Sequence, residues 1–160
     1  MFNHNFQFIN NNFPYIVLDN FLPSENYENL NPFAEYLDAE ETCNPLGVTE
    51  EAGVLEVQTD VCSHATLWQP ALASSANGDE LDILAYHSAL YTDPPDEGYM
   101  AVMVAGETVW ERWIDIPGEA DVYPVVLESF PKIKKGDAIF FHVHNHGANS
   151  WKLAHIKLQR

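Results

Sequence analysis

From Val54 onward the chain is cut into short runs of β-branched, aromatic and aliphatic residues, each stopped by Gly, Pro, Asn or Asp. The runs cover residues 54–59, 65–69, 79–87, 99–105, 108–116, 123–130, 138–145 and 151–158. None of the intervening sequence carries the 3.6-residue periodicity of an amphipathic helix of ordinary length. Strand-length runs with turn residues at this spacing build sandwiches or barrels. The expectation is an all-β fold: a two-sheet antiparallel sandwich, jelly-roll-like, with little helix, its core in residues 54–160. Ala105-Gly106-Glu107 joins two runs so tightly that they should form a hairpin. Asn77-Gly78-Asp79 and Lys135-Gly136-Asp137 read as further turns, and the stretch from Asp93 to Gly98, with two prolines, reads as a loop.

Residues 1–53 differ in composition and read as an N-terminal arm followed by an acidic loop region, packed on or beside the sandwich. The arm mixes Phe6, Phe8, Phe13, Phe21 and Phe33 with many asparagines. Residues 13–20 suggest a short strand, and Ser24 could cap a helical turn. Phenylalanines are too apolar to sit free in water, and asparagine favours turns. Residues 1–12 are therefore expected to extend and dock, either on their own sandwich or on a second copy, which would make the protein a homo-oligomer.

A length of 160 residues suits one core, and 24 acidic against 7 basic side chains leave a net charge of −17. That balance excludes a nucleic-acid partner, because binding there requires Lys and Arg to displace counterions. It also disfavours anionic membranes, and no apolar run approaches the length of a membrane span. The first residues show neither the basic region nor the apolar block of a secretory signal. Cys43 and Cys62 bracket one loop and form a candidate disulfide, worth about 3 kcal/mol through chain entropy. There is no Cys-x-x-Cys pair, no Gly-x-Ser-x-Gly elbow and no glycine-rich phosphate loop.

Alternation assigns faces to the last two runs. In the first, Ile139, Phe141 and Val143 form an apolar set, leaving His142 and His144 on the other side. In the second, Ala154, Ile156 and Leu158 form the apolar set, leaving Trp151, Leu153, His155 and Lys157. Ile139, Phe141, Val143, Ile156 and Leu158 are thus expected in the core, with His142 and His144 outward or lining an edge. Two histidines at i, i+2 on a strand stand about 7 Å apart on one face, within reach of one ion. His146, past the strand, could swing back at Gly147, and His155 could join from a neighbouring strand. His142, His144, His146 and His155 are therefore the candidate ligands for zinc or copper. His64 and His87 read as structural histidines. Trp110, Trp113 and Trp151 are candidate ligand-stacking surfaces, with Trp110 and Trp113 on opposite faces of their strand.

The segment from Gly136 to Ser150, with Gly106-Glu107-Thr108-Val109-Trp110 before it, resembles the last strands of secreted jelly-roll modules. In those a Gly-Asp turn feeds an alternating strand and an Asn/Gly loop follows. The resemblance implies carbohydrate binding or surface attachment. The stretch from Phe13 to Pro23 is similar to the opening strand of iron- and 2-oxoglutarate-dependent oxygenases, and Lys135–Phe141 with His146-Gly147 to their last metal-binding strand. The His-x-Asp pair of that family is absent, and His87 and Asp93 are too far apart in sequence to replace it. The leading functional expectation is a non-catalytic binding or structural module, extracellular or surface-exposed, with a carbohydrate or protein partner. The alternative is a metal-binding protein or metal-dependent enzyme built on the histidine-rich edge.

Overall fold

In the computed structural model of the chain, the described residues are 31–36 and 43–159. The expectations for residues 1–12, for the strand at 13–20 and for the Ser24 cap lie outside them, as does the oxygenase-like opening stretch.

Among the described residues nine strands are formed: β1 (Val48–Glu51), β2 (Val54–Gln58), β3 (His64–Pro70), β4 (Glu80–His87), β5 (Asp96–Val104), β6 (Glu107–Ile116), β7 (Asp121–Leu127), β8 (Ala138–His144) and β9 (Ser150–Gln159). They pair antiparallel into two sheets, β1-β2-β9-β4-β7 and β3-β8-β5-β6. From β2 onward each strand crosses to the other sheet, except for the β5–β6 hairpin. This is the jelly-roll manner of winding, and it makes the chain the expected all-β sandwich. Helix among the described residues is confined to single 3-10 turns at Ala34–Tyr36 and Pro45–Gly47.

Eight of the nine strands match the runs marked by turn residues. The ninth, β1, lies in the stretch read as acidic loop. Among the described residues it pairs with β2 alone, through a turn in which Ala52 and Gly53 have φ of 52° and 81°. Ala105 and Gly106 repeat the device between β5 and β6, with φ of 49° and 84°. Two consecutive left-handed residues give the twist that a two-residue hairpin needs. The other edge strand of the first sheet, β7, carries Pro124, tolerated because one side of that strand has no ladder to complete among the described residues.

Between the sheets, alternate residues interlock. Leu55, Val57, Leu81, Ile83 and Ala85 of the first sheet meet Ala65, Leu67, Met100, Val102, Val104, Ile139, Phe141 and Val143 of the second. Each fully buried side chain of the Leu, Ile, Val or Phe kind contributes about 1.5–3 kcal/mol. Ile139, Phe141, Val143 and Ile156 are buried as expected, and Leu158 packs half-buried against the same cluster.

Strand β9 departs from simple alternation. Its pairing with β4 slips between Leu84 and Ala85: Leu84 faces His155, Ala85 faces Leu153, and Ala154 is passed over. An extra residue of this kind reverses which parity faces the core. Trp151 and Leu153 are therefore buried before the slip, and Ile156 after it. Trp151 is fully enclosed in the core, which removes it from the candidate ligand-stacking surfaces. Its indole lies on Gly98 of the opposite sheet and its Nε1–H points to Asn145 Oδ1 at 3.4 Å.

The second sheet is covered on its outer side as well. Phe33, Tyr99 and Ala101 form a small second cluster with Tyr36, Met103 and Phe140. The segment 31–36 thus lies over the outer face of β8 and β5. His142, expected to face outward, is on that outer face but is completely buried there.

Candidate functional site

The ladders of the second sheet put its outward side chains into rows. One row reads His64, His144, Tyr99, Trp113 across β3, β8, β5 and β6. The next reads Thr66, His142, Ala101, Glu111. Side chains directly opposite on neighbouring strands stand about 4.5–5.5 Å apart at Cβ, so each row is a line of contact. Three histidines and an aromatic pair from four strands are brought together this way.

Among the described residues, His64, His142 and His144 each offer a ring nitrogen, and these nitrogens lie within 4.8 Å of one another. His142 Nε2 is 2.9 Å from His144 Nδ1. On its other side His142 Nδ1 is 2.9 Å from Thr66 Oγ1, and the Thr66 hydroxyl donates to Asn31 Oδ1 at 2.8 Å. Phe33 stacks on the His142 ring with centroids 4.4 Å apart and planes 14° from parallel. Burial, reinforced by the neighbouring His64 and His144, holds the His142 imidazole well below its ordinary pKa, so it is neutral at pH 7.

The four candidate metal ligands divide. His142 and His144 belong to the convergent group; His146 and His155 do not. His155 was expected on a strand beside β8, but β9 lies in the other sheet, where His155 Nε2 meets Asp82 Oδ1 at 3.0 Å. His146 falls beyond the end of β8, where Asn145 and Asn149 set the loop. Asn149 Nδ2 donates to Asn145 Oδ1 at 2.7 Å, and Tyr91 N donates to Asn149 Oδ1 at 2.7 Å. His64 completes the group instead. Its position on β3, two residues before Thr66, carries the same i, i+2 spacing as His142 and His144, and that repeated spacing is the signal that could have found it. His87 is structural, as read: its Nδ1 lies 2.8 Å from Ser88 O and its Nε2 2.9 Å from Tyr123 Oη.

At the β6 end of the rows the face opens to solvent. Trp113 is 47% exposed, and its ring rests against Tyr99 (4.5 Å), His144 (5.5 Å) and Tyr36 (6.1 Å). Glu111 and Asp115 flank it on the same side of β6, and Glu97 pairs with Asp115 from β5. The Tyr99 hydroxyl donates to Glu111 Oε2 at 2.6 Å. Burial first, then the hydrogen bond and charge of Glu111, push the Tyr99 pKa far up, so it holds its proton and orients the carboxylate. Trp110 points to the opposite side of β6 and packs half-buried on the main core. Cys43 and Cys62 are joined in a disulfide.

No family model matches the chain, and no curated protein does. Solved structures match it loosely. A CBM4 structure aligns at 9% identity over 70% of this chain and 76% of its own, with a TM-score of 0.40. TmCBM61 in complex with beta-1,4-galactotriose aligns at 12% identity over 72% and 76%, with a TM-score of 0.40. A Family 16 Carbohydrate Binding Module-2 aligns at 11% identity over 78% and 89%, also with a TM-score of 0.40. Likeness at this level assigns no residue a role.

Proposed function

We propose that this chain is a non-catalytic binding module, extracellular or surface-exposed, that holds neutral carbohydrate on the outer face of its second sheet at Trp113. The observation that carries the reading is an exposed tryptophan whose ring is already seated on Tyr99 and Tyr36, with Glu111 and Asp115 on either side. A pyranose ring has an apolar face of C–H groups and a rim of hydroxyls. The indole covers the first, and a Trp braced by other rings gives up little conformational freedom on binding. The carboxylates accept from the second, through charge-assisted hydrogen bonds. A net charge of −17 turns away polyanionic glycans and leaves neutral ones. The disulfide suits an oxidising compartment.

Gel electrophoresis in the presence of soluble neutral polysaccharides (a mixed-linkage β-glucan, a xylan, a β-1,4-galactan and a galactomannan) tests this. Wild type should be retarded by at least one of them. Trp113→Ala should lose about 2 kcal/mol of binding, roughly thirty-fold in Kd, with its melting temperature little changed. No retardation by any of the four, or equal retardation of the variant, would count against the reading.

A further inference from the structure

Beneath the aromatic surface, the geometry points to a transition-metal site formed by His64, His142 and His144, built for zinc or copper(II). The inference stands apart from the carbohydrate reading and uses none of its residues as ligands.

Its central support is a chain of hydrogen bonds that decides which nitrogen of His142 carries the proton. The backbone N–H of Phe33 donates to Asn31 Oδ1 at 2.9 Å, and since an N–H can only donate, that atom is the amide oxygen. The Thr66 hydroxyl, 2.8 Å from the same oxygen, must therefore spend its one proton there. It can only accept from His142, so His142 carries its proton on Nδ1. The Nε2 of His142 is left with a lone pair, aimed at His144 Nδ1 across 2.9 Å. A metal-bound histidine is oriented in this same way, by donating its other ring N–H to a fixed acceptor.

The rest of the cluster fits one ion. Four-coordinate zinc with Zn–N bonds of about 2.0–2.1 Å has its nitrogens about 3.3 Å apart. The three ring nitrogens are within 4.8 Å of one another, so shifts on the order of 1 Å bring them to that spacing. The His64 and His142 rings already meet edge-on, 4.6 Å apart at 66°, and those of His142 and His144 5.2 Å apart at 60°. An ion takes the place of the His142–His144 hydrogen bond, in which His144 Nδ1–H is the donor; His144 then moves its single proton from Nδ1 to Nε2 and offers Nδ1 to the ion. Three imidazoles suit zinc and copper(II), and three protein ligands leave a fourth position to solvent or a small ligand. Phe33 and Tyr36 roof the site, and half-buried His144 gives it a way in from the surface.

The test uses protein stripped with a chelator. Cobalt(II), the spectroscopic stand-in for zinc, is added and the visible d–d band recorded; zinc and copper(II) are titrated separately by calorimetry. The expected result is one ion per chain and an intense band of a four-coordinate site. His144→Ala, at the half-buried rim, should fold and lose the band. Thr66→Val keeps the shape of the side chain but removes the acceptor for His142 Nδ1–H, and should weaken binding by 10–100-fold while keeping the band. His155→Ala, on the other sheet, should bind like wild type. Absence of stoichiometric binding to folded wild type, or undiminished binding by His144→Ala, would overturn the site. An unchanged affinity in Thr66→Val would overturn the role given to the Asn31–Thr66–His142 chain.

Discussion

Substituting Gly98 by Ala sets two effects against each other, and the structure says which wins. Alanine in place of glycine narrows the unfolded ensemble and by itself stabilises by about 0.4–1 kcal/mol where the backbone permits it. Gly98 lies on the inner side of β5, next to Met100 in alternation, and a Cβ built there would sit 2.5 Å from Trp151 Cη2, 2.6 Å from Cζ2 and 3.3 Å from Ile116 Cδ1. Carbon atoms at optimal separation are about 3.5–4.0 Å apart, so the indole must retreat by roughly 1 Å. Trp151 is rigid and wholly enclosed, with its Nε1–H aimed at Asn145. Overpacking a filled core costs about 1–3 kcal/mol, which exceeds the entropic gain. A net loss of about 1.3 kcal/mol, about 2 from overpacking less about 0.7 from chain entropy, lowers the melting temperature of a domain this size by about 3–5 °C. Calorimetric melts of wild type, Gly98→Ala, Trp151→Phe and the double variant form the assay. Phenylalanine lacks the outer edge of the indole that meets residue 98, so the pair should couple favourably by at least about 0.5 kcal/mol. A Gly98→Ala melting temperature at or above wild type, or strict additivity in the cycle, would refute the packing argument.

Reduction of the Cys43–Cys62 bond, 19 residues apart, should cost about 3 kcal/mol, read as a lower urea midpoint in reductant than without it. Identical midpoints would mean the loop is closed by packing alone. Burial by itself would raise the Asp82 carboxyl pKa, but hydrogen bonds and charge from His155 and Lys157 outweigh it and hold the pKa below the ordinary value. A depressed carboxylate pKa gives stability that is present above the unfolded value, near 4, and lost as pH falls through the folded one. Asp82→Asn should therefore be less stable than wild type at pH 7, and the gap should close below about pH 4; a gap constant with pH would argue against it. Asn145→Ala removes the acceptor shared by Asn149 Nδ2 and Trp151 Nε1 and should cost about 1–3 kcal/mol in urea melts, a loss that a merely solvated loop residue would not show.

Most of the sandwich was legible because turn chemistry and alternation are local. Gly106 after Ala105, and the Gly-Asp turn before Ala138, mark where strands stop whatever lies across the sheet. Strand β1 escaped for the converse reason. Val48-Thr49-Glu50-Glu51 has one buried side chain and, among the described residues, faces no neighbour but β2, so its sequence carries the acidity of an edge and almost none of the apolar pattern of a strand. The slip at Ala154 left no local mark either. Read with strict alternation, Trp151 shares a face with His155 and Lys157, which makes it look like a surface aromatic. The extra residue changes the parity midway, and nothing between Trp151 and Leu158 announces it.

The candidate site was half legible, and the missing half follows from the winding of the chain. His142 and His144 are legible together because one strand holds both. Choosing their third partner requires knowing which strand lies beside β8, and that is a property of the topology. Here the loop after β8 carries the chain to the other sheet, so β9 is not the neighbour of β8, and His155 is excluded by that crossing. The neighbour is β3, 68 residues or more earlier in the chain, and it brings His64 opposite His144 and Thr66 opposite His142. Asn31, farther back again, then decides the tautomer of His142 by holding the Thr66 proton. Each step outward from His142 reaches a residue more distant in sequence, from β8 to β3 to the segment beside Phe33. A site whose ligands, orienting hydroxyl and roof come from separate parts of the chain exists only once both the sheet and its covering segment are in place. Loss of the segment at 31–36 should therefore uncover His142 and disturb the histidine cluster while leaving the inter-sheet core intact.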